Sequence, residues 1–475
     1  MITWLGVLLI PYALLVSLFW PSKLKHAAIF FIPFTATSVF NMPSGVPITP
    51  FQLFGSFFIA LSFLNFIKNH KQAECLIIKK TQLFLILFLL SAVISTFMPL
   101  WIDGALTVSS NTITDLRFQK IVFTASGFKR VLPIIFGVAF SFAICADLNS
   151  PKKITDLVKT YVASALFVSI WGLLQFALQN ILSIEYPYYV FNNIEIEAAQ
   201  GYVQKLNFGD TSIYRISSVS HEPSIFAKYL LSVIPLVLFA ILFKQPILGR
   251  VQDKIAIFVI VFVLLLSTSF IGYVGFIGIC VLTILFFRKY CERKSNGKAF
   301  LFLSIMSFLS LLLISPSAIE VFSVASIEKF QSGSFLERIL SVVNSYGYFI
   351  EYPILGVGWA LVTSHDLIMN LLVNSGVVGF LTFTMFSVSL FWTSMKKLDY
   401  MNENRILHTH AIYPIFIGVT ISFAILILSG IVTGLEFYNG NFYFIVALLI
   451  SCGTNYLKTM SGRDMVRTGY GKEAA

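Results

Sequence analysis

Two stretches carry nearly all the residues able to do bond chemistry in a chain otherwise poor in charge. The first is Tyr214-Arg215 followed by Ser220-His221-Glu222-Pro223-Ser224, with Lys228 just beyond. The second is Glu337-Arg338, then Tyr352-Pro353, then Ser364-His365-Asp366. The planar fork of arginine holds phosphate or diphosphate bidentately, whereas His and Glu can take a proton from a hydroxyl. Two arginines, a glutamate and a histidine brought together suit the transfer of a group from a lipid diphosphate to an alcohol. Each also has a plainer role. Pro223 fits the first turn of a helix and pushes the residue before it out of helical geometry, so Glu222 falls at or near an N-cap, where an acid meets the positive helix end. Arg215 is by default a solvated loop cation. Lys228, about one and a half turns into the helix, reads as a side chain that snorkels to the surface. A lone histidine is more often a structural hydrogen-bonder. At His365, however, the start of a helix would lower the pKa and keep the imidazole neutral, as a general base requires.

The elements that must position these residues are membrane spans. Of 475 residues, 57% are apolar and 12% charged, against roughly 45–50% and 25% in soluble domains. Apolar stretches long enough to cross a bilayer recur from end to end, so a soluble, disordered or nucleic-acid-binding protein is excluded. The reading is an all-α polytopic membrane protein, a single integral domain over 1–475. Its thirteen candidate spans are 2–20, 27–40, 51–67, 82–101, 131–146, 160–181, 224–243, 255–271, 272–287, 299–317, 377–395, 409–429 and 441–457. Segment 255–287 is one apolar run, too long for a single helix, and is divided near Ser267-Thr268-Ser269 and Gly272. Segment 27–40 is short and contains Pro33; if re-entrant, it would move the N-terminus to the other side. The first span lacks the basic start and cleavage site of a signal peptide. Alternate loops hold 24 and nine of the 33 basic residues. The positive-inside rule assigns the richer set, and the C-terminus, to the cytoplasm.

Three external loops remain: 102–130, 182–222 and 318–376. The last two are long and rich in aromatic and aliphatic residues, which predicts ordered loops folded back on the membrane. The spacing over 335–350 predicts an interfacial amphipathic helix, with Leu336, Ile339, Leu340 and Val343 on one side and Glu337, Arg338, Ser341 and Asn344 on the other. Glu351-Tyr352-Pro353 ends it and Gly356-Val357-Gly358 makes a tight turn. Ser364 is the expected cap of a short helix closed by Gly376, leading into span 377–395. The five cysteines (75, 145, 280, 291, 452) avoid the external loops, so no disulfide framework is implied. The six histidines form no ligand pattern with Cys or carboxylates, so no metal site is expected. The spans are almost free of charge, which speaks against ion-coupled transport.

The order Arg215…His221-Glu222-Pro223-Ser224, then Arg338…Tyr352-Pro353-Ile354-Leu355-Gly356-Val357-Gly358…Ser364-His365…Asn370…Gly376-Val377-Val378-Gly379, resembles the O-antigen polymerase/ligase family, mainly over 210–395. Many members carry an arginine at the break that corresponds to Ser267-Thr268-Ser269-Phe270, and this chain has none there. The resemblance implies a metal-independent glycosyltransferase with a glycosyltransferase-C-like fold and no cofactor, at the periplasmic face of the bacterial inner membrane. The Glu-Pro-Ser form is more similar to repeat-unit polymerases than to ligases. The substrate implied is an undecaprenyl-diphosphate-linked oligosaccharide, with a chain-length regulator and a flippase as further partners. Under that resemblance His365 and Glu222 are catalytic, Arg215, Arg338 and Lys228 bind the diphosphate, and His221 and Tyr352 contact substrate. The alternatives are a ligase that passes the glycan to lipid A-core and, in another class, a flippase or other transporter of lipid-linked oligosaccharides.

Overall fold

Fifteen α-helices and three two-stranded hairpins appear in the computed structural model, which describes residues 2–41, 47–68, 80–102, 104, 106–109, 118–123, 127–194, 200–208, 211–290, 333–403 and 411–464. In chain order the helices are α1 (Trp4–Phe19), α2 (Leu24–Phe30), α3 (Pro50–Lys68), α4 (Lys80–Ser95), α5 (Pro99–Ile102), α6 (Gly127–Asp147), α7 (Pro151–Phe176), α8 (Tyr188–Phe191), α9 (Pro223–Leu242), α10 (Arg250–Leu266), α11 (Phe270–Tyr290), α12 (Gly333–Glu351), α13 (Leu367–Glu403), α14 (Ile412–Thr433) and α15 (Gly440–Asp464). The hairpins pair Phe40–Asn41 with Pro47–Ile48, Thr107–Ser109 with Phe118–Lys120, and Lys205–Phe208 with Thr211–Tyr214. Among the described residues, eight helices are long and apolar enough to cross a membrane, and two shorter apolar ones, α1 and Gly440–Thr454, join them. The chain is a membrane-embedded, polytopic helical protein. Predicted span 299–317 lies outside the described residues.

The apolar run 255–287 does divide where the small polar residues stand. Helix α10 ends at Leu266, Thr268 takes a left-handed φ of 48°, and α11 begins at Phe270. Segment 27–40 is not a spanning helix. Only seven residues of it and its approach are helical, in α2, and the rest is irregular chain tied to its neighbours. It nevertheless returns across the bundle. Lys25 pairs with Asp147 at the far end of α6, whereas Val39 accepts from the Thr3 N–H at 3.2 Å beside the start of α1.

Helix α9 is the core of the bundle, with 17 of its 20 residues buried. Helix α14 lies against it at close range: a Cβ on Gly418 would stand 2.8 Å from the Leu236 Cα, and Ser422 Oγ donates to Ser232 O at 2.6 Å. Outward faces are apolar instead, with Leu18, Phe258, Val388 and Trp392 all more than 60% exposed. Apolar surface of that extent marks contact with lipid. One end of the bundle gathers charge. Lys25 and Lys153 meet Asp147, and Lys289 meets Asp399 at 2.6 Å. The starts of α6, α9, α13 and α15 and the end of α14 lie at the opposite end.

Candidate functional site

Residues 214–218 descend along α7. Asn180 brackets Tyr214, its Oδ1 accepting the Tyr214 N–H at 2.7 Å and its Nδ2 donating to Tyr214 O at 3.1 Å. Lower down, Gln175 Oε1 accepts the N–H groups of Ser217 and Ser218 at 3.2 and 2.8 Å, and Ser218 Oγ reaches Val168 O at 2.6 Å. Gln175 is fully buried, so these bonds satisfy backbone donors that would otherwise be orphaned away from water. The chain then crosses to the 33–35 segment, where Ser220 Oγ donates to Pro33 O at 2.9 Å, and turns into α9.

Glu222 is the N-cap of α9 by position, with extended backbone (φ −143°, ψ 147°) and Pro223 at the first turn. Its carboxylate accepts no helix N–H. It accepts from Ser224 Oγ at 2.7 Å and faces a cavity, so the capping explanation does not account for this side chain.

A second device presents His365. Gly356 (φ 69°) and Gly376 (φ 66°) both occupy the left-handed region, and a Cβ on either would press into the other strand of chain, 2.5 Å from Val373 O and 2.1 Å from Ile354 O. Glycine is required at both places. Gly376 therefore closes a short first helix, as the sequence predicts, and a second helix follows directly, the two together making up α13. Across the break Asn374, 1% exposed, fixes the loop: its Oδ1 accepts the N–H groups of Leu361 and Val362, both at 3.0 Å, and its Nδ2 donates to Val362 O at 2.7 Å. The helix start falls two residues later than predicted. Asp366, not Ser364, is the cap, with Oδ1 accepting the Met369 N–H at 2.7 Å, while Ser364 Oγ donates to the other carboxylate oxygen. His365 thus precedes the helix. Its imidazole has no hydrogen bond among the described residues, and burial, reinforced by the Arg338 charge, lowers its pKa from the ordinary 6.5.

Glu222, Arg338 and His365 line one cavity of about 450 Å³, together with Arg130, Trp359, Asn370, Glu436 and Tyr438. The amphipathic helix holding Arg338 is present as α12. Its apolar residues Leu336, Ile339 and Val343 point outward, while Ser341 and Ser345 are buried on the protein side.

The other expected residues are placed differently. Lys228 does not snorkel. It is 3% exposed, and its Nζ donates to Glu436 Oε1 at 2.5 Å and to Gly434 O at 2.7 Å, beneath the cavity wall. Arg215 is outside the cavity lining. Its Nε and Nη2 donate to Thr268 Oγ1 and O at 3.2 and 3.3 Å, which pins the α10–α11 break, and Nη1 meets Gln204 at 3.5 Å. Burial lowers the Arg215 pKa, with Glu222 opposing that effect. Both ring nitrogens of His221 are engaged, Nδ1 with Thr35 Oγ1 at 2.9 Å and Nε2 with Tyr438 Oη at 3.0 Å. His221 lines a neighbouring, mostly apolar cavity of about 270 Å³. Tyr352 packs in a small cluster with Val357, Val362 and Val373.

Arg130 is the cavity cation that the sequence did not single out. A cation in the first turn of a span looks like an interfacial anchor, and the signal that it does more is its contact with Ala360 O, 230 residues away. Among the described residues, no group of three or more His, Cys, Asp or Glu could hold a metal ion. Compared with protein-family models and with curated proteins, the chain matches none.

Proposed function

We propose that the protein polymerises polysaccharide repeat units carried on undecaprenyl diphosphate, at the periplasmic face of a bacterial inner membrane, on a glycosyltransferase-C-like bundle. The observation that carries this reading is the meeting of Glu222, Arg338 and His365, from three separate elements, in one cavity at the end of the bundle away from the charged clusters. His365 takes the proton of an acceptor hydroxyl on the incoming lipid-linked unit. The hydroxyl oxygen bonds to the anomeric carbon of the growing glycan as the bond from that carbon to the diphosphate oxygen breaks. Arg338 stabilises the negative charge gathering on the leaving diphosphate, a task for preorganised electrostatics. Glu222 orients the sugar. The outward apolar face of α12 gives the prenyl chains a lipid-exposed approach.

Deleting the gene and separating the surface polysaccharide on a gel tests the reaction. Loss of the ladder with a single repeat unit retained on lipid A-core is expected. Complete loss with lipid-linked polymer accumulating would make the protein a ligase instead.

Sidedness is tested separately in a cysteine-free background. Tyr189, 62% exposed and at the cavity end, where its carbonyl accepts from Trp4 Nε1, should label as cysteine with an impermeant thiol reagent from the periplasm. A cysteine at exposed Lys152, in the first turn of α7 at the opposite end, should label only after the membrane is opened. The reverse pattern would put the cavity in the cytoplasm and end the proposal.

A further inference from the structure

Arginine offers five N–H donors, and where they are spent separates its roles. Arg215 commits its Nε and both terminal nitrogens to Thr268 and Gln204, at the helix break and outside the cavity lining. The Arg338 guanidinium makes no hydrogen bond or ion pair among the described residues, though Arg338 lines the cavity. Arg130 lines the same cavity from the first turn of α6 and, among the described residues, spends one N–H, from Nη1 to Ala360 O at 3.1 Å, leaving four. Among the described residues neither acid in that lining forms an ion pair with these two cations, and the Glu222 charge can offset only one of the two. Glu436 is bound to Lys228, and Glu222 accepts from Ser224.

We propose that Arg130 and Arg338 form the two-point grip for a diphosphate in this cavity, and that Arg215 is a positioning residue that holds the α10–α11 break. Two guanidiniums sharing one cavity repel each other unless an anion lies between them, and each can bind a phosphate group through two parallel N–H···O bonds. A diphosphate supplies two such groups. The bond to Ala360 ties Arg130 to the loop that presents His365 five residues later, so grip and base move as one unit. The identity of the diphosphate as a lipid headgroup rests on the function proposed above; the anion chemistry does not.

The test is binding to the purified full-length protein in detergent, read without turnover, with inorganic pyrophosphate and farnesyl diphosphate as probes and farnesol as the uncharged control. Wild type should bind both diphosphates and not farnesol. Arg130→Ala and Arg338→Ala should each weaken both by more than tenfold, with Arg130→Lys recovering only part. Arg215→Lys should bind pyrophosphate within about threefold of wild type while lowering the thermal midpoint. Binding by Arg130→Ala within twofold of wild type would overturn the proposal, as would Arg215→Lys losing as much affinity as Arg338→Ala. Farnesyl diphosphate binding without pyrophosphate binding would also overturn it, because the grip would then not be on the phosphates. If the arginine results hold but the wild-type protein never extends lipid-linked repeat units, the polymerase reading fails and the diphosphate site stands.

Discussion

Polymerisation by His365→Gln is expected to fall about 10²–10⁴-fold, no better than His365→Ala, with wild-type amounts of folded protein. Glutamine preserves a hydrogen-bonding group of similar reach but has no protonation near neutrality, so it can serve a structural histidine and not a general base. The imidazole makes no hydrogen bond among the described residues that a structural role would need, and it faces the cavity. Purified protein with lipid-linked repeat units gives the readout. The pH profile supplies a second, signed one. Burial and Arg338 disfavour the imidazolium, so the native protein keeps His365 neutral to below the ordinary 6.5, and activity should be lost on acidification only below that value. Removing the Arg338 charge takes away one of the causes, so the residual rate of Arg338→Ala should show its acid limb moved upward. Near-normal polymer from His365→Gln would return the base to Glu222.

Lys228→Met should cost about 3–5 kcal/mol, the usual result of stripping one partner from a buried ion pair. Lys228 is 3% exposed and the Glu436 side chain 17%, so little water is available to replace the lost ammonium. The same substitution frees the carbonyls of Thr433 and Gly434, where α14 ends. Replacing both partners, Lys228→Met with Glu436→Leu, should recover much of the loss, since no uncompensated charge remains. Thermal midpoints of the two singles and the double in one detergent decide it. A direct ligand of the diphosphate would behave otherwise: Lys228→Met would stay as stable as wild type and lose only pyrophosphate affinity.

Local signals in the sequence were read correctly where one residue type dictates the backbone. Pro223 placed Glu222 at a helix start, Gly376 closed a short helix, and Ser267-Thr268-Ser269 divided an overlong apolar run. The spacing of Leu336, Ile339, Leu340 and Val343 was enough for α12. Where two signals competed, the nearer guess missed: Ser364 and Asp366 are both good caps, and the charge of Asp366, in reach of the Met369 N–H, won. Segment 27–40 was ambiguous for a related reason, since its crossing is made by a short helix and by backbone bonds to distant loops rather than by a regular span. What could not be read were pairings between residues far apart in the chain. Lys228 meets Glu436 across 208 positions and Arg215 meets Thr268 across 53, so neither is the free cation that its neighbours in sequence suggest.

The descent of residues 214–218 along α7 bears on a competition that the catalytic groups do not decide. Ser218 is tied to Val168, yet α7 and the π-helical turn that extends it run on to Ile181, about 20 Å further at 1.5 Å per residue. Gln179 in that turn donates to Tyr202 O at 2.9 Å, and Gly201 packs directly on His221 and Glu222. Under the function proposed above, a glycan held near Glu222 would therefore have a protein wall on that flank instead of open solvent. Water attacks an anomeric carbon as a sugar hydroxyl does, and each donor lost to hydrolysis is a chain ended early. Excluding it from a site of this kind suppresses that side reaction. For a polymerase built this way, the length of polymer a single chain reaches would then be governed by how well this wall keeps the glycan dry, as much as by how fast His365 moves a proton.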